Sequence, residues 1–131
     1  MAKFYIAGKF QDKERVQKVQ EEIQSNGHEI THDWTQHDPV KPYREKLEKA
    51  RKYASKDIEG VREADIFVMI PHSGGRTLHA ELGAAIVLNS VRNGPDVYLL
   101  GRPDDPGMIY FHPVVDTVTS IEEILKRVDG I

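Results

Sequence analysis

The sequence has no cysteine and no long run of apolar residues. Without cysteine the chain forms no disulfide, carries no thiolate nucleophile and offers no sulfur ligand to a metal. No apolar stretch approaches the length of a membrane span, and the opening residues MAKFYIAGKF lack the apolar segment of a signal peptide. We therefore expect a soluble, cytoplasmic protein with no membrane partner.

The sequence also has little excess of charge of one sign, since 18 Lys and Arg against 21 Asp and Glu leave a net charge of -3. This balance gives no general attraction to a nucleic acid polymer, and no basic stripe interrupts the mixed-sign pattern. Hydrophobic residues make up 39% of the chain, as in ordinary globular proteins. The 131 residues are enough for a buried core and contain no repeat or linker, so we expect a single domain over residues 1–131.

Short apolar segments alternate along the chain with segments of helical periodicity. The apolar segments predict five strands: KFYIAG (3–8), HEITHDW (28–34), DIFVMI (65–70), DVYLL (96–100) and VVDTV (114–118). The second strand is the most polar, so we place it nearer an edge of the sheet. The continuous apolar character of DIFVMI is typical of a central parallel strand.

Helices are predicted between these strands. Asp12 caps the first helix, which ends at the SNG sequence of residues 25–27, and apolar residues from Tyr43 to Val61 mark a long second helix. A third helix follows the SGGRT turn, and a capping-box pattern at residues 120–123 starts the last. This alternation predicts an α/β fold: a five-stranded parallel sheet, flavodoxin-like or Rossmann-like, in three layers with strand order 2-1-3-4-5.

In that order the loops after the first and third strands meet at the carboxyl edge of the sheet, where such folds bind ligands. Both loops lead into helix starts, whose free N–H groups favour phosphate or carboxylate. The alternative is ordinary turn chemistry with solvated cations. We predict these substrate-binding residues: Gly8, Lys9 and Phe10 in the first loop, and Ser73, Gly74, Gly75 and Arg76 in the second.

One carboxylate lies within the apolar sequence of the third helix. Every residue from Leu78 to Leu88 except His79 and Glu81 is apolar or glycine. Glu81 lies near the crevice end of the helix, where we expect the helix dipole to help keep it ionised at neutral pH. An ionised carboxylate suits a nucleophile or a hydroxyl clamp, and the competing interpretation is a salt bridge. His79 points away from Glu81 around the helix and is not its partner.

Asp57 and Tyr5 are further candidates with open alternatives. Asp57 lies at the margin of the apolar face of the second helix, as either a site residue or a paired surface aspartate. Tyr5 alternates with Phe4 and Ile6 on the first strand, so it belongs to the core or presents its hydroxyl to the crevice.

Histidines cluster around the second strand and suggest a zinc site. His28, His32 and His37 lie close in sequence to Asp33 and Asp38. Their spacing matches no ligand framework such as H-E-x-x-H. We therefore expect no metal and no cofactor.

The segments FYIAGKF, ASKDIEGVREADIFVMI and GGRTLHAELGAA together resemble the nucleoside 2-deoxyribosyltransferase family and its relatives that hydrolyse nucleoside monophosphates. The likeness runs from the first strand through the third helix. In that family the glutamate of E-L-G attacks the anomeric carbon, the aspartate late in the second helix assists at the sugar or base, and a strand-one tyrosine holds the nucleophile. The resemblance therefore implies that Glu81, Asp57 and Tyr5 are catalytic.

The implied reaction is cleavage of the N-glycosidic bond of a small-molecule nucleoside 5'-monophosphate or nucleoside through a covalent glycosyl-glutamate. Water or another base would complete the turnover, as in a hydrolase or a transferase. Family transferases often carry an aspartate six residues before the glutamate, where this chain has Gly75. The SGGRT turn is more similar to the phosphate loop of the hydrolases. The alternative function is a non-catalytic nucleotide-binding module.

The resemblance also implies a homo-oligomer, a dimer or larger, in which a neighbour's loop completes the site. The segment PDDPGMIYFHP (103–113) is the candidate loop, with Tyr110 and His112 as possible contributors. A bound base could stack on Phe10 or on Trp34, although Trp34 could equally cover the sheet edge.

Overall fold

A computed structural model describes residues 1–130. Its five strands form one all-parallel sheet in the order β2-β1-β3-β4-β5, which confirms the predicted order. The strands are β1 (Lys3–Ala7), β2 (Glu29–Ile30), β3 (Ile66–Met69), β4 (Asp96–Leu100) and β5 (Val115–Val118). The central strand β3 is buried throughout, as its continuous apolar sequence predicts.

Four α-helices flank the sheet: α1 (Lys13–Ser25), α2 (Leu47–Glu63), α3 (Arg76–Arg92) and α4 (Ile121–Asp129). Because parallel crossovers are right-handed, α1 lies on one face and α2 and α3 lie on the other. Glu122 of α4 lies beside Glu22 of α1, which places α4 on the α1 face and completes the three layers. None of the helices between residues 1 and 130 combines the length and apolar character needed to cross a membrane.

The second strand is much shorter than HEITHDW predicts. Sheet pairing stops at Ile30, and a 3-10 turn follows over Trp34–Gln36. Asp33 causes this change, because its carboxylate accepts a hydrogen bond from the Thr35 N–H at 3.0 Å and turns the chain. The Trp34 Nε1–H donates to the carbonyl of Ile6 at 2.6 Å, so Trp34 is buried against β1.

The second helix also differs from its prediction. The α-helix starts at Leu47 rather than Tyr43, which lies in a separate 3-10 turn. Its apolar residues share one face, but only Gly60 and Val61 are buried, and Ile58 is about half exposed. The last turns of α2 pack closely on the sheet, because a Cβ at Gly60 would lie 2.8 Å from the Tyr5 ring.

The helix starts predicted from capping residues lie where expected, with different contacts. Asp12 and Ser120 occupy the N-cap positions of α1 and α4, yet neither side chain makes a cap hydrogen bond within the described chain. In the last helix the Glu123 carboxylate instead accepts from the Thr119 N–H at 3.1 Å. The predicted capping box is therefore not formed, because Glu123 binds the N–H of Thr119 rather than that of Ser120.

Candidate active site

The centre of the candidate site is a contact between Tyr5 of β1 and Glu81 of α3. Glu81 lies on the buried face of its helix, beside Leu78 and Leu82, and is 4% exposed. The Tyr5 hydroxyl donates a short hydrogen bond to Glu81 Oε2. The Tyr5 ring therefore belongs to the core, and its hydroxyl contacts the carboxylate of Glu81.

Glu81 is not held by a cation, which sets aside the salt-bridge interpretation for the described residues 1–130. The prediction that the helix dipole keeps it ionised is wrong, because burial raises the pKa of Glu81 to about 8. The Tyr5 hydrogen bond lowers this pKa and the Asp57 charge raises it. Glu81 lies in the second turn of α3, beyond the first turn where the dipole acts most strongly.

Asp57 lies late in α2, near the turn where that helix meets the sheet. Its side chain is 15% exposed, and Oδ1 is buried without a hydrogen-bond partner among residues 1–130. Burial raises the pKa of Asp57 to about 7, in the range that suits proton transfer at neutral pH. Asp57 is therefore not a paired surface aspartate.

Tyr5, Asp57 and Glu81 form one electrostatic unit. The pKa of the Tyr5 hydroxyl is raised well above its usual value by burial, then by the charges of Glu81 and Asp57. Tyr5 therefore remains a hydrogen-bond donor across the physiological pH range. The two carboxyl groups also repel each other's charge, so their proton equilibria are linked.

The two predicted loops meet at the carboxyl edge of the sheet. A Cβ at Gly74 would lie 2.7 Å from the Lys9 ammonium nitrogen, so this cation lies against the backbone of the SGGRT turn. Gly75 has a φ of +91° at the start of α3, and a Cβ there would lie 2.6 Å from Leu78. At Gly8 a Cβ would lie 2.8 Å from Val16, so this glycine allows β1 to approach α1.

The other predicted binding residues are accessible. Ser73 and Arg76 are exposed beside Gly74, and within the described range Arg76 forms no salt bridge. Phe10 is also exposed, and the Lys13 ammonium lies 4.8 Å from the centre of its ring. These side chains could contact a ligand without disturbing the core.

The loop over residues 103–113 does not bring His112 to the Tyr5–Glu81 contact of its own chain. The His112 Nδ1 accepts from the Val114 N–H at 3.1 Å, and among residues 1–130 it forms no hydrogen bond with Tyr5 or Glu81. Tyr110 instead contacts His79 Nε2 at 2.6 Å. His79 Nδ1 lies 2.5 Å from the Gly75 carbonyl, so His79 is not the partner of Glu81, as predicted.

Sequence analysis did not assign two histidines that contact the site. Asp57 Oδ1 lies 3.4 Å from His32 Nε2 and 3.8 Å from His37 Nε2. Both histidines lie between β2 and α2, whereas Asp57 lies well inside α2, so local spacing does not reveal the group. The predicted strand order could have indicated this group. Because β2 lies next to β1 in the parallel sheet, the segment after β2 begins at the same carboxyl edge as the loop after β1.

Comparisons with known proteins place the fold. No protein-family model matches the chain, and no curated protein matches it. The solved structure of the CMP N-glycosidase BcmB of Clostridium botulinum is similar, with a TM-score of 0.61 and 18% sequence identity over 98% of both chains. At this identity the likeness shows the fold: an α/β three-layer architecture around a parallel five-stranded sheet.

Proposed function

We propose that this protein cleaves the N-glycosidic bond of a nucleoside 5'-monophosphate or nucleoside, with Glu81 as the nucleophile. The observation that carries the proposal is the hydrogen bond from the buried Tyr5 hydroxyl to Glu81 Oε2, beside the unpartnered Oδ1 of Asp57 in residues 1–130. A buried carboxylate held by a neutral donor is poorly explained by stability alone, because burial disfavours its charge.

In the first step Glu81 Oε1 attacks the anomeric carbon while the bond to the base breaks. Tyr5 binds the other oxygen, orients the carboxylate and favours its ionised form. The transition state resembles an oxocarbenium ion, which a nearby negative charge stabilises. Protonated Asp57 donates its proton to the leaving base, and the product is a glycosyl ester of Glu81.

In the second step a water molecule attacks the anomeric carbon of the ester. The Asp57 carboxylate accepts a proton from that water, and Glu81 leaves as a carboxylate. The cycle therefore returns both groups to their starting protonation states. A second base in place of water would complete a transfer reaction.

A phosphorylated substrate is supported by the loop that joins β3 to α3. Lys9 lies against Gly74, and Arg76 is exposed at the start of α3, where free N–H groups and the helix dipole favour an anion. Similarity to BcmB, a CMP N-glycosidase, supports testing cytidine monophosphate early.

A second copy of the chain is supported by exposed apolar residues on the loop over residues 103–113. Met108 is 90% exposed and Phe111 is 73% exposed. We infer that this loop contacts another protomer and brings His112 to its site, since in its own chain His112 caps a local turn. Equilibrium sedimentation would then show a dimer or larger, and Met108→Ser with Phe111→Ser would weaken it.

Base release from ribo- and deoxyribonucleosides and their 5'-monophosphates, measured by chromatography, tests the function. Wild type should release base and Glu81→Gln should not. Glu14→Gln on the exposed face of α1 is the matched control, because it makes the same change away from the site. If nothing is released but monophosphates raise the melting temperature, the non-catalytic binding module is supported instead, consistent with Gly75 at the position of the transferase aspartate.

A further inference from the structure

Three side chains from two separate segments direct ligand atoms at one another beside the catalytic pair. The Nε2 atoms of His32 and His37 are 2.7 Å apart, and Asp57 Oδ1 completes a triangle with them. All three atoms lie within 4.8 Å of one another. His32 and His37 come from the segment after β2, and Asp57 comes from α2.

Hydrogen bonding alone leaves this group incomplete. A proton shared between the two imidazoles uses the proton of one Nε2 and the lone pair of the other. Asp57 Oδ1 then has no donor, and it is a buried atom without a partner in the part of the chain described. Buried polar atoms are nearly always satisfied, so an additional positively charged or donating group is missing from the triangle.

The dimensions of the triangle suit a metal ion. An ion that binds nitrogen and oxygen at about 2.0–2.1 Å in a tetrahedral arrangement separates its ligand atoms by about 3.3–3.4 Å. The three separations of 2.7, 3.4 and 3.8 Å bracket that value, so small side-chain movements would equalise them. Two imidazoles with one carboxylate are also a common donor set for divalent transition ions.

Neighbouring residues hold the rings in place. The His37 ring stacks on Tyr53 at 3.8 Å between centroids, and the Tyr53 hydroxyl accepts from the Asp38 N–H at 3.0 Å. On the other side, a Cβ at Gly60 would lie 2.9 Å from His32 Cβ, so His32 packs directly on α2. Such outer contacts fix the orientation of ligands in metal sites.

We propose that His32, His37 and Asp57 form a binding site for a divalent transition-metal ion of the zinc class, with a fourth position for water or a substrate atom. The proposal departs from the sequence-based expectation of no metal, because the third ligand lies inside the following helix and outside the local histidine pattern. It does not depend on the proposed glycosidase activity, because an ion on Asp57 takes the place of the proton that the glycosidase mechanism donates, so the metal-bound form should not release base.

The test is titration of Co²⁺ into the full, metal-stripped chain, followed by visible absorption, with Zn²⁺ binding measured by calorimetry. Mildly alkaline pH is used because protons compete with a metal for imidazole and carboxylate ligands. We expect one equivalent of each ion to bind, with Co²⁺ absorption of tetrahedral intensity. His37→Gln, His32→Gln and Asp57→Asn should each weaken binding by at least about tenfold.

His112→Gln is the matched control for adventitious binding to a histidine, and circular dichroism verifies that each variant is folded. Wild-type binding that survives all three cluster substitutions would overturn the proposal, as would no binding of either ion by the wild type. Glu81→Gln should retain full metal binding. The same variant removes base release under the proposed function, so failure of one proposal is distinguishable from failure of the other.

Discussion

Replacement of Tyr5 by phenylalanine removes a hydrogen bond that favours the ionised form of Glu81. The hydroxyl donates to Glu81 Oε2, while burial and the Asp57 charge both raise the pKa of this carboxyl to about 8. Phenylalanine keeps the ring and its packing but leaves Oε2 without a donor. The pKa of Glu81 must therefore rise further in the Tyr5→Phe variant.

The size of the effect follows from the hydrogen bond. A hydrogen bond to a charged group is worth about 1.5–3 kcal/mol, which corresponds to a pKa increase of about one to two units. Catalysis requires Glu81 ionised and Asp57 protonated, yet Glu81 has the higher pKa, about 8 against about 7. Only a small fraction of the enzyme has that combination of protonation states at any pH. Each further unit by which the pKa of Glu81 rises lowers the largest value of this fraction about tenfold.

The assay is the pH dependence of kcat/KM for base release. Wild type should give a bell-shaped profile with limits near pH 7 and 8, the values of the two carboxyl groups. Tyr5→Phe should move the alkaline limit upward by about one to two units and lower the maximum about ten- to a hundredfold. Tyr98→Phe, at a buried tyrosine of β4, is the control and should leave the profile unchanged. An unshifted profile in Tyr5→Phe would refute the role of the hydrogen bond.

Three further predictions concern stability and substrate binding. Because burial raises the pKa of Asp57 from 3.8 to about 7, the folded state binds the extra proton. The free energy of unfolding should therefore fall as pH rises from about 4 to 7, by up to about 4 kcal/mol, and denaturant titrations of Asp57→Asn should lack this component. Gly60→Ala places a Cβ 2.8 Å from the Tyr5 ring and should cost about 1–3 kcal/mol in thermal unfolding. Gly83→Ala on α3 is the control, because a Cβ there meets no atom of the described residues within 4 Å. It should be neutral or stabilising by up to about 1 kcal/mol. Equal losses of stability in Gly60→Ala and Gly83→Ala would contradict the packing argument. Arg76→Ala should raise KM for a 5'-monophosphate about tenfold and leave the nucleoside unaffected, and an equal effect on both would exclude a phosphate contact.

The order of the sheet was predictable because strand and helix alternate and right-handed crossovers leave few arrangements. DIFVMI identified a central strand because burial on both faces needs a continuous apolar sequence. HEITHDW failed as a strand because the Asp33 side chain competes with sheet pairing for backbone donors. The periodicity of α2 showed which residues share a face, but not that most of this face lies beyond the sheet.

The sequence allowed the residues of the candidate site to be proposed, but it did not allow their pKa values to be predicted. The E-L-G segment drew attention to Glu81, whereas its raised pKa depends on burial that only the packed helices define. The contact from Tyr5 joins residues 76 positions apart, and no local pattern encodes it. For the same reason the spacing of His32 and His37 was uninformative, since their third partner is Asp57.

The most direct test of Glu81 as a nucleophile is mass spectrometry of the enzyme quenched in acid during a single turnover. A substrate that releases base in the chromatographic assay is mixed with excess enzyme, and the peptide containing Glu81 is then analysed. We predict a mass increase equal to the glycosyl group on that peptide, which disappears in Glu81→Gln together with base release. Base release that persists in Glu81→Gln, with no modified peptide in the wild type, would contradict the mechanism.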